Sequence, residues 1–248
     1  MDIAGKINPA VRAPAPRSDW ALFLDIDGTL IDIASRPDAV IIPPALPSIL
    51  EGAQKRLGGA LAVVSGRPLA TIDQFMAPLI LPCAAEHGAV LRLPDGKLLE
   101  ATSSMAVPPH WRERIGDALR KYKGVLLGDK SYSLDVHYRL APHHEEEIGE
   151  LVETVVAENP AFEVLPAHMA REIRHKSLNK GAAVQLLMKH PPFAGRTPVF
   201  VGDDVTDEDG FRAATQVGGL GLHVQDAFDG KPAEVRRWLE TFTLTEKR

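Results

Sequence analysis

Two short apolar runs, each ending in a cluster of aspartates, constrain this chain more than any other feature. Ala21-Leu22-Phe23-Leu24 leads into Asp25-Ile26-Asp27-Gly28-Thr29, and Thr197–Val201 leads into Gly202-Asp203-Asp204-Val205-Thr206-Asp207-Glu208. A short, continuous apolar run is the pattern of a strand buried on both faces, as in the parallel sheet of an α/β protein. A further run, Ala60–Val64, ends in Ser65-Gly66-Arg67. In open parallel sheets, ligands bind outside the carboxyl ends of the strands. The sequence therefore sends its polar residues to the edge where a site forms.

The rest of the chain alternates in the same way, with one interruption. Helices are predicted at Pro47–Leu57 and Pro68–Met76, a strand at Leu79–Ala84, and a hairpin around Pro94-Asp95-Gly96, where Asp-Gly favours a tight turn. From about residue 103 to 172 the pattern changes to helix, strands, helix, strands. Its second helix, Pro142–Glu158, carries Glu145-Glu146-Glu147 early, which suits the helix dipole. Alternation then resumes with a helix at Asn179–Lys189, the strand at Thr197–Val201, a helix at Asp207–Thr215, a short strand at Gly221–Val224 and a helix at Lys231–Thr241. The expected fold is α/β: a Rossmann-like parallel-sheet core built from residues 20–102 and 173–248, with an inserted α+β module at 103–172. Residues 1–19 read as a Pro-rich, poorly ordered lead-in.

Composition narrows the function classes. With 28 Lys+Arg against 33 Asp+Glu, the net charge of −5 speaks against a general nucleic-acid or membrane-surface binder. No apolar run approaches the length of about 18 residues that a membrane-spanning helix needs. Met1–Trp20 has no apolar signal-peptide core. Cys83 is the single cysteine, so no intramolecular disulfide forms. A cytoplasmic protein with a small-molecule substrate is the expectation.

The aspartates set the chemistry. Asp25, Asp27, Asp203, Asp204 and Asp207 are expected to converge at one sheet edge, where like charges repel unless neutralised. Acids at strand ends also serve as helix N-caps, but two such clusters in one chain favour a site. Oxygen ligands without a Cys or His cluster suit a hard cation, and Mg²⁺ fits best if phosphate is the substrate. Asp25 and Asp27, two apart on extended chain, point the same way, so one can attack while the other handles a proton. Gly28 lets the backbone approach a ligand. Ser65 offers a hydroxyl, with Gly66 beside it, to a phosphate, although Ser-Gly-Arg alone is equally a tight turn. Lys180, where a helix starts, opposes the helix dipole and is either a surface lysine or a neutraliser of phosphate. His87, after a buried strand, and His137, alternating with Asp135 and Arg139, read equally as structural or as site residues.

Taken together, Asp25-Ile26-Asp27-Gly28-Thr29-Leu30, Ser65, Lys180 and Gly202-Asp203-Asp204 with Asp207 resemble, in order, the four motifs of the haloacid dehalogenase superfamily of phosphotransferases. A narrower resemblance, to the trehalose-6-phosphate phosphatase family, rests on Val63-Val64-Ser65-Gly66-Arg67, Glu86-His87-Gly88, Asp135-Val136-His137-Tyr138-Arg139, Gly195–Phe200 and Gly202–Glu208. It implies that Asp25 is the nucleophile and Asp27 the general acid/base. It further implies that Ser65, Gly66 and Lys180 bind phosphate, and that Mg²⁺ is held by Asp25, the carbonyl of Asp27 and Asp203, with Asp207 close by. The insert becomes a cap closing over the sugar, with Lys130 and Glu172 as its sugar contacts; Arg67 and His87 are expected to bind the sugar with them. The family's first cap acid precedes the lysine by two residues; here that position is Gly128, next to Asp129. The implied reaction is hydrolysis of trehalose 6-phosphate through an aspartyl-phosphate. The alternatives are a phosphatase of sucrose 6-phosphate or a hexose phosphate, or a non-catalytic sugar-phosphate sensor.

Overall fold

The computed structural model describes residues 12–34, 39–167 and 169–243. Strand β1 (Trp20–Leu24) is buried along its whole length and sits between two parallel neighbours. Its alternating side chains serve both faces of the sheet. Trp20 meets Trp238 and Phe242 on one face, while Phe23 stacks on Phe193 at 5.4 Å on the other.

The chain leaves β1 through helix α1 (Leu46–Arg56), strand β2 (Leu61–Val64), helix α2 (Leu69–Met76) and strand β3 (Cys83–Ala85). An antiparallel hairpin, β4 (Val90–Arg92) and β5 (Leu98–Glu100), extends the same sheet outward. β3 begins four residues later than the apolar run at Leu79 predicts, because Pro82 in that run has no N–H to give a ladder.

The inserted module follows as helix α3 (Pro109–Leu119), strands β6 (Leu126–Asp129) and β7 (Leu134–His137), helix α4 (Glu145–Val156), and strands β8 (Phe162–Ala167) and β9 (Ala170–His175). Its four strands form a separate antiparallel sheet in the order β6-β7-β9-β8. The sheet runs on through His175, past residue 172, because Ile173 is buried in the module's own core. The core then resumes with α5 (Lys180–Leu187), β10 (Thr197–Gly202), α6 (Glu208–Thr215), β11 (Leu220–His223), the one-turn α7 (Val224–Ala227) and α8 (Pro232–Glu240). The core sheet reads β11-β10-β1-β2-β3-β4-β5, parallel from β11 to β3.

Strand order reverses at β1. After it the chain builds outward to β2 and β3 on one side, and β10 returns on the other. The carboxyl end of a strand at such a switch point is where crevices form. Asp25, Ser65, Glu86 and Asp203 each directly follow a strand there, after β1, β2, β3 and β10.

The second sheet is two-faced. Leu134, Val136 and Ile173 pack with Trp111 and Ile115 of α3 and with Ile148 and Val152 of α4. The opposite face carries Gly128, Asp135, His137, Glu172 and Arg174. Residues 1–11 of the expected lead-in lie outside the described residues. In the rest of it, Trp238 Nε1 donates to the carbonyl of Pro14 at 2.9 Å. Among the described residues no helix is long and apolar enough to cross a membrane.

Candidate active site

The expected catalytic cluster assembles around one buried lysine. Asn179 caps α5 by accepting from the N–H of Ala182 at 2.8 Å, which leaves Lys180 as the first helical residue. Its ammonium turns inward, 2.7 Å from Asp25 Oδ1 and 2.5 Å from Asp207 Oδ1. All three groups are almost wholly buried. Burial lowers the tendency of the ammonium to stay charged, but Asp207 and Asp25 outweigh it and hold its pKa well above the usual lysine value.

Asp207 is locked from both sides. Its Oδ2 accepts from the N–H groups of Asp203 and Asp204 at 3.0 and 3.1 Å, while Asp204 caps the following turn through the N–H of Val205. Asp203 receives the Thr29 hydroxyl at 3.3 Å. Gly28 has φ +74°, and a Cβ there would lie 2.0 Å from Asp203 Oδ2, so only glycine lets the two strand ends meet this closely.

One oxygen each from Asp25, Asp203 and Asp207 lies within 4.8 Å of the others. Three carboxylates against one ammonium leave two negative charges in a buried place. Burial, followed by Asp207, pushes the Asp203 carboxyl up to about 7, and burial likewise raises Asp25 against the pull of Lys180. An all-oxygen set with uncompensated charge suits a hard divalent cation. Of the five acids expected to converge, these three do so. Asp204 serves as a cap, and Asp27 is engaged elsewhere.

Asp27 is gripped by Arg67, whose Nε and Nη2 donate to its two oxygens at 2.6 Å each. Ser65 is buried, and its Oγ accepts from the N–H of Arg67 at 3.3 Å, which leaves the hydroxyl proton free to donate. Gly66 lies against His87: a Cβ at Gly66 would be 2.4 Å from the ring Nε2. Glu86 and His87 both take left-handed backbone, at φ 46° and 56°, a strained arrangement for residues with side chains. Hydrogen bonds from their N–H groups to the carbonyls of Arg67 and Ser65 hold them there.

The polar face of the second sheet rests on this edge. His87 Nε2 is 2.8 Å from Glu172 Oε1, and Lys130 Nζ is 3.5 Å from the same oxygen. Burial opposes the charge on Glu172, but His87 and Lys130 outweigh it and hold the carboxyl well below the usual range. Lys130 makes its closest contact, 2.6 Å, with Asp135 Oδ2. Asp129, the acid beside Gly128, faces away and pairs with Arg112 on α3.

Other residues tie the two units together. Glu86 Oε2 accepts from the N–H of Tyr132 at 2.8 Å, and Arg174 Nη2 reaches Asp209 of α6 at 3.3 Å. Sequence reasoning did not single out Tyr132, Arg174 or Asp209, and Glu86 entered it only within the Glu86-His87-Gly88 motif. The alternation in Arg171-Glu172-Ile173-Arg174, which puts 172 and 174 on one face, is the signal that would have found Arg174.

The family model described as trehalose-phosphatase matches residues 23–238. A probable trehalose-phosphate phosphatase of Sinorhizobium fredii is 44% identical over 207 residues, covering 83% of this chain and 78% of that protein. The trehalose-6-phosphate phosphatase of Escherichia coli is 33% identical over 252 residues, covering 97% and 93%. In fold, the C-terminal domain of a Candida albicans trehalose-6-phosphate phosphatase superposes with a TM-score of 0.75 at 22% identity, over 92% of this chain and 93% of that one. A phosphatase of the haloalkanoate (HAD) superfamily from Bacteroides thetaiotaomicron has the same fold, with a TM-score of 0.53 at 14% identity over 78% and 80%.

Proposed function

The chain belongs to the trehalose-phosphatase family, within the HAD superfamily, and we propose that it releases phosphate from trehalose 6-phosphate with Asp25 as nucleophile, Asp27 as general acid/base and Mg²⁺ as its cation. The observation that carries this reading is the buried Lys180, bridging Asp25 and Asp207 beside Asp203.

Asp25 attacks phosphorus in line, forming an aspartyl-phosphate as the bond from phosphorus to the sugar oxygen breaks. When the ester binds, Asp27 lets go of one Arg67 donor and takes up a proton on that oxygen, and it gives this proton to the departing sugar oxygen. It then takes a proton from the water that attacks the aspartyl-phosphate, which releases phosphate and restores Asp25. Lys180 has one donor left after Asp25 and Asp207, and that donor meets a phosphoryl oxygen. The free Ser65 hydroxyl proton meets another. Asp25, Asp203 and the Asp27 carbonyl would hold Mg²⁺, with Asp207 fixing Lys180 and the backbone of Asp203. When bound, the ion neutralises charge on the carboxylates and the phosphoryl group. Lys130, Glu172 and His87 form the cap-side surface against which the sugar rests, and closure of the cap excludes bulk water. Release of trehalose and phosphate makes this the last step of trehalose formation.

The test is phosphate release from trehalose 6-phosphate, sucrose 6-phosphate, glucose 6-phosphate and an aryl phosphate, before and after chelation and with Mg²⁺ restored. Trehalose 6-phosphate should have the highest kcat/KM, and activity should vanish on chelation and return with Mg²⁺. Preference for another ester would overturn the substrate, and full activity in chelator would overturn the cation.

A further inference from the structure

Asp135 is not explained by the chemistry above. It lies on β7, directly across from Gly128 of β6 on one side and Glu172 of β9 on the other. Directly opposed residues of an antiparallel sheet share a face. These three therefore lie in a row on the polar face that rests on the core. Two carboxylates in register repel each other, an arrangement that favours neither the sheet nor the stability of the cap. Lys130 is drawn between them, 2.6 Å from Asp135 and 3.5 Å from Glu172.

Asp135 is nonetheless incompletely satisfied. Its Oδ1 is buried and has no hydrogen-bond partner among the described residues. The Ser133 hydroxyl, two residues earlier, is also buried without a partner. A buried carboxylate oxygen with no donor is costly, and such orphans call for a ligand or water. Burial, together with Glu172, pushes the Asp135 carboxyl up to about 6 against the pull of Lys130, which is what a shortage of donors does. Across the strand, Gly128 presents no side chain. An added Cβ there would sit 3.3 Å from Asp135 Cβ, 3.4 Å from His137 Nε2 and 3.6 Å from Asp135 Oδ2, so Asp135 and the His137 ring flank this place. Position 128 and Asp135 thus compete for one place beside Lys130, and in this chain Asp135 fills it.

We propose that Asp135 is a specificity-determining residue whose carboxylate accepts a hydrogen bond from a hydroxyl of the leaving sugar, reaching across the sheet into the space beside Lys130 that Gly128 leaves bare. The proposal rests on the reading of the chain as a trehalose-6-phosphate phosphatase. The hydroxyl meets Asp135 on the face that Lys130 and Glu172 share.

The test compares kcat/KM for trehalose 6-phosphate and for an aryl phosphate, which has no sugar hydroxyls, in the native protein, Asp135→Ala, Asp135→Asn and Gly128→Glu/Asp135→Ala. Asp135→Ala should lower the ratio of the two values by about tenfold or more, mainly through KM for the sugar ester, as loss of one hydrogen bond to a charged group does. Asp135→Asn keeps the shape and should fall between. Gly128→Glu/Asp135→Ala returns a carboxylate to the same place from the other strand and should recover part of the ratio. A ratio within about twofold of native in Asp135→Ala, or equal losses on both substrates, would overturn the role of Asp135 alone. If the native protein releases no phosphate from trehalose 6-phosphate but acts on the aryl ester, the substrate reading falls and this proposal falls with it.

Discussion

Arg67 holds Asp27 with two parallel hydrogen bonds of 2.6 Å, and its guanidinium lies 4.7 Å above the ring of Phe75. The fork-on-carboxylate geometry fixes direction as well as distance. The aromatic ring beneath it limits how far the arginine can swing. Asp27 keeps about a third of its side chain exposed, with its oxygens turned to Arg67 and not to the aspartate cluster. Arg67 is expected among the sugar contacts, and it also holds the proposed proton carrier.

Arg67→Met should therefore slow both the sugar ester and an aryl phosphate alike. A drop of about 10- to 100-fold in kcat with little change in KM is expected, the scale of losing orientation at a catalytic group. Arg67→Lys should restore little, since an ammonium cannot make the paired contact. Steady-state kinetics on the two substrates checks this, and a loss confined to the sugar ester would assign Arg67 to the sugar.

Asp25→Asn should stay folded yet lose turnover by about a thousandfold or more on every phosphate ester, because an amide does not replace the attacking carboxylate. Lys180 keeps Asp207 as its partner in that variant, so no charge is stranded. Phosphate release together with thermal unfolding decides the matter: normal unfolding with residual rates near native would exclude Asp25 as nucleophile.

Lys180→Met has the opposite balance. It leaves buried carboxylates facing one another without their counter-charge, and removing one member of a buried ionic set costs on the order of 3–5 kcal/mol. A large fall in the midpoint of thermal unfolding is expected. Mg²⁺ should restore part of it, because a cation bound to the folded state alone stabilises that state by mass action. Thermal scans at increasing Mg²⁺ read this without any activity measurement. No dependence on Mg²⁺ in either native protein or variant would remove the cation from this cluster.

How much of this could be read beforehand follows from the range over which sequence acts. The strand ends at Asp25, Ser65 and Asp203 were legible because an apolar run and the polar residues after it are neighbours in the chain. Lys180 was legible because a lysine at a helix start contradicts the dipole and asks for a reason. The pairings that organise the cap were not. Gly128 meets Asp135, and Asp135 meets Glu172, through a register fixed by how three strands bury Leu134, Val136 and Ile173. That register depends on the whole sheet, and a shift of one residue would turn every polar group to the other face. The same holds for Arg174 with Asp209 and for Glu86 with the N–H of Tyr132, which join segments far apart in sequence.

The same cluster gives stability a pH dependence with a definite sign. Burial pushes the Asp135 carboxyl up to about 6; Lys130 works against this, and Glu172 and Glu86 add to it. In the unfolded chain the group titrates near the ordinary aspartate value of 3.8. The folded state therefore binds this proton more tightly than the unfolded state does. The resulting stabilisation is fully present below about pH 4 and is lost as pH rises through about 6, with a total on the order of 3 kcal/mol. His137, partly buried beside it and pushed down to about 4, has the reverse slope, since the unfolded chain takes up its proton first. His137 Nε2 lies only 3.7 Å from Asp135 Oδ2, so its titration shifts with the substitution, and the comparison is made between His137→Gln and His137→Gln/Asp135→Asn. The unfolding free energy of the first minus that of the second should fall steadily between about pH 4 and pH 6 and level off above. Urea unfolding at closely spaced pH values measures it. A difference that stays flat across the window would mean that Lys130 keeps Asp135 ionised throughout, and one that rises would mean that the ion pair dominates burial.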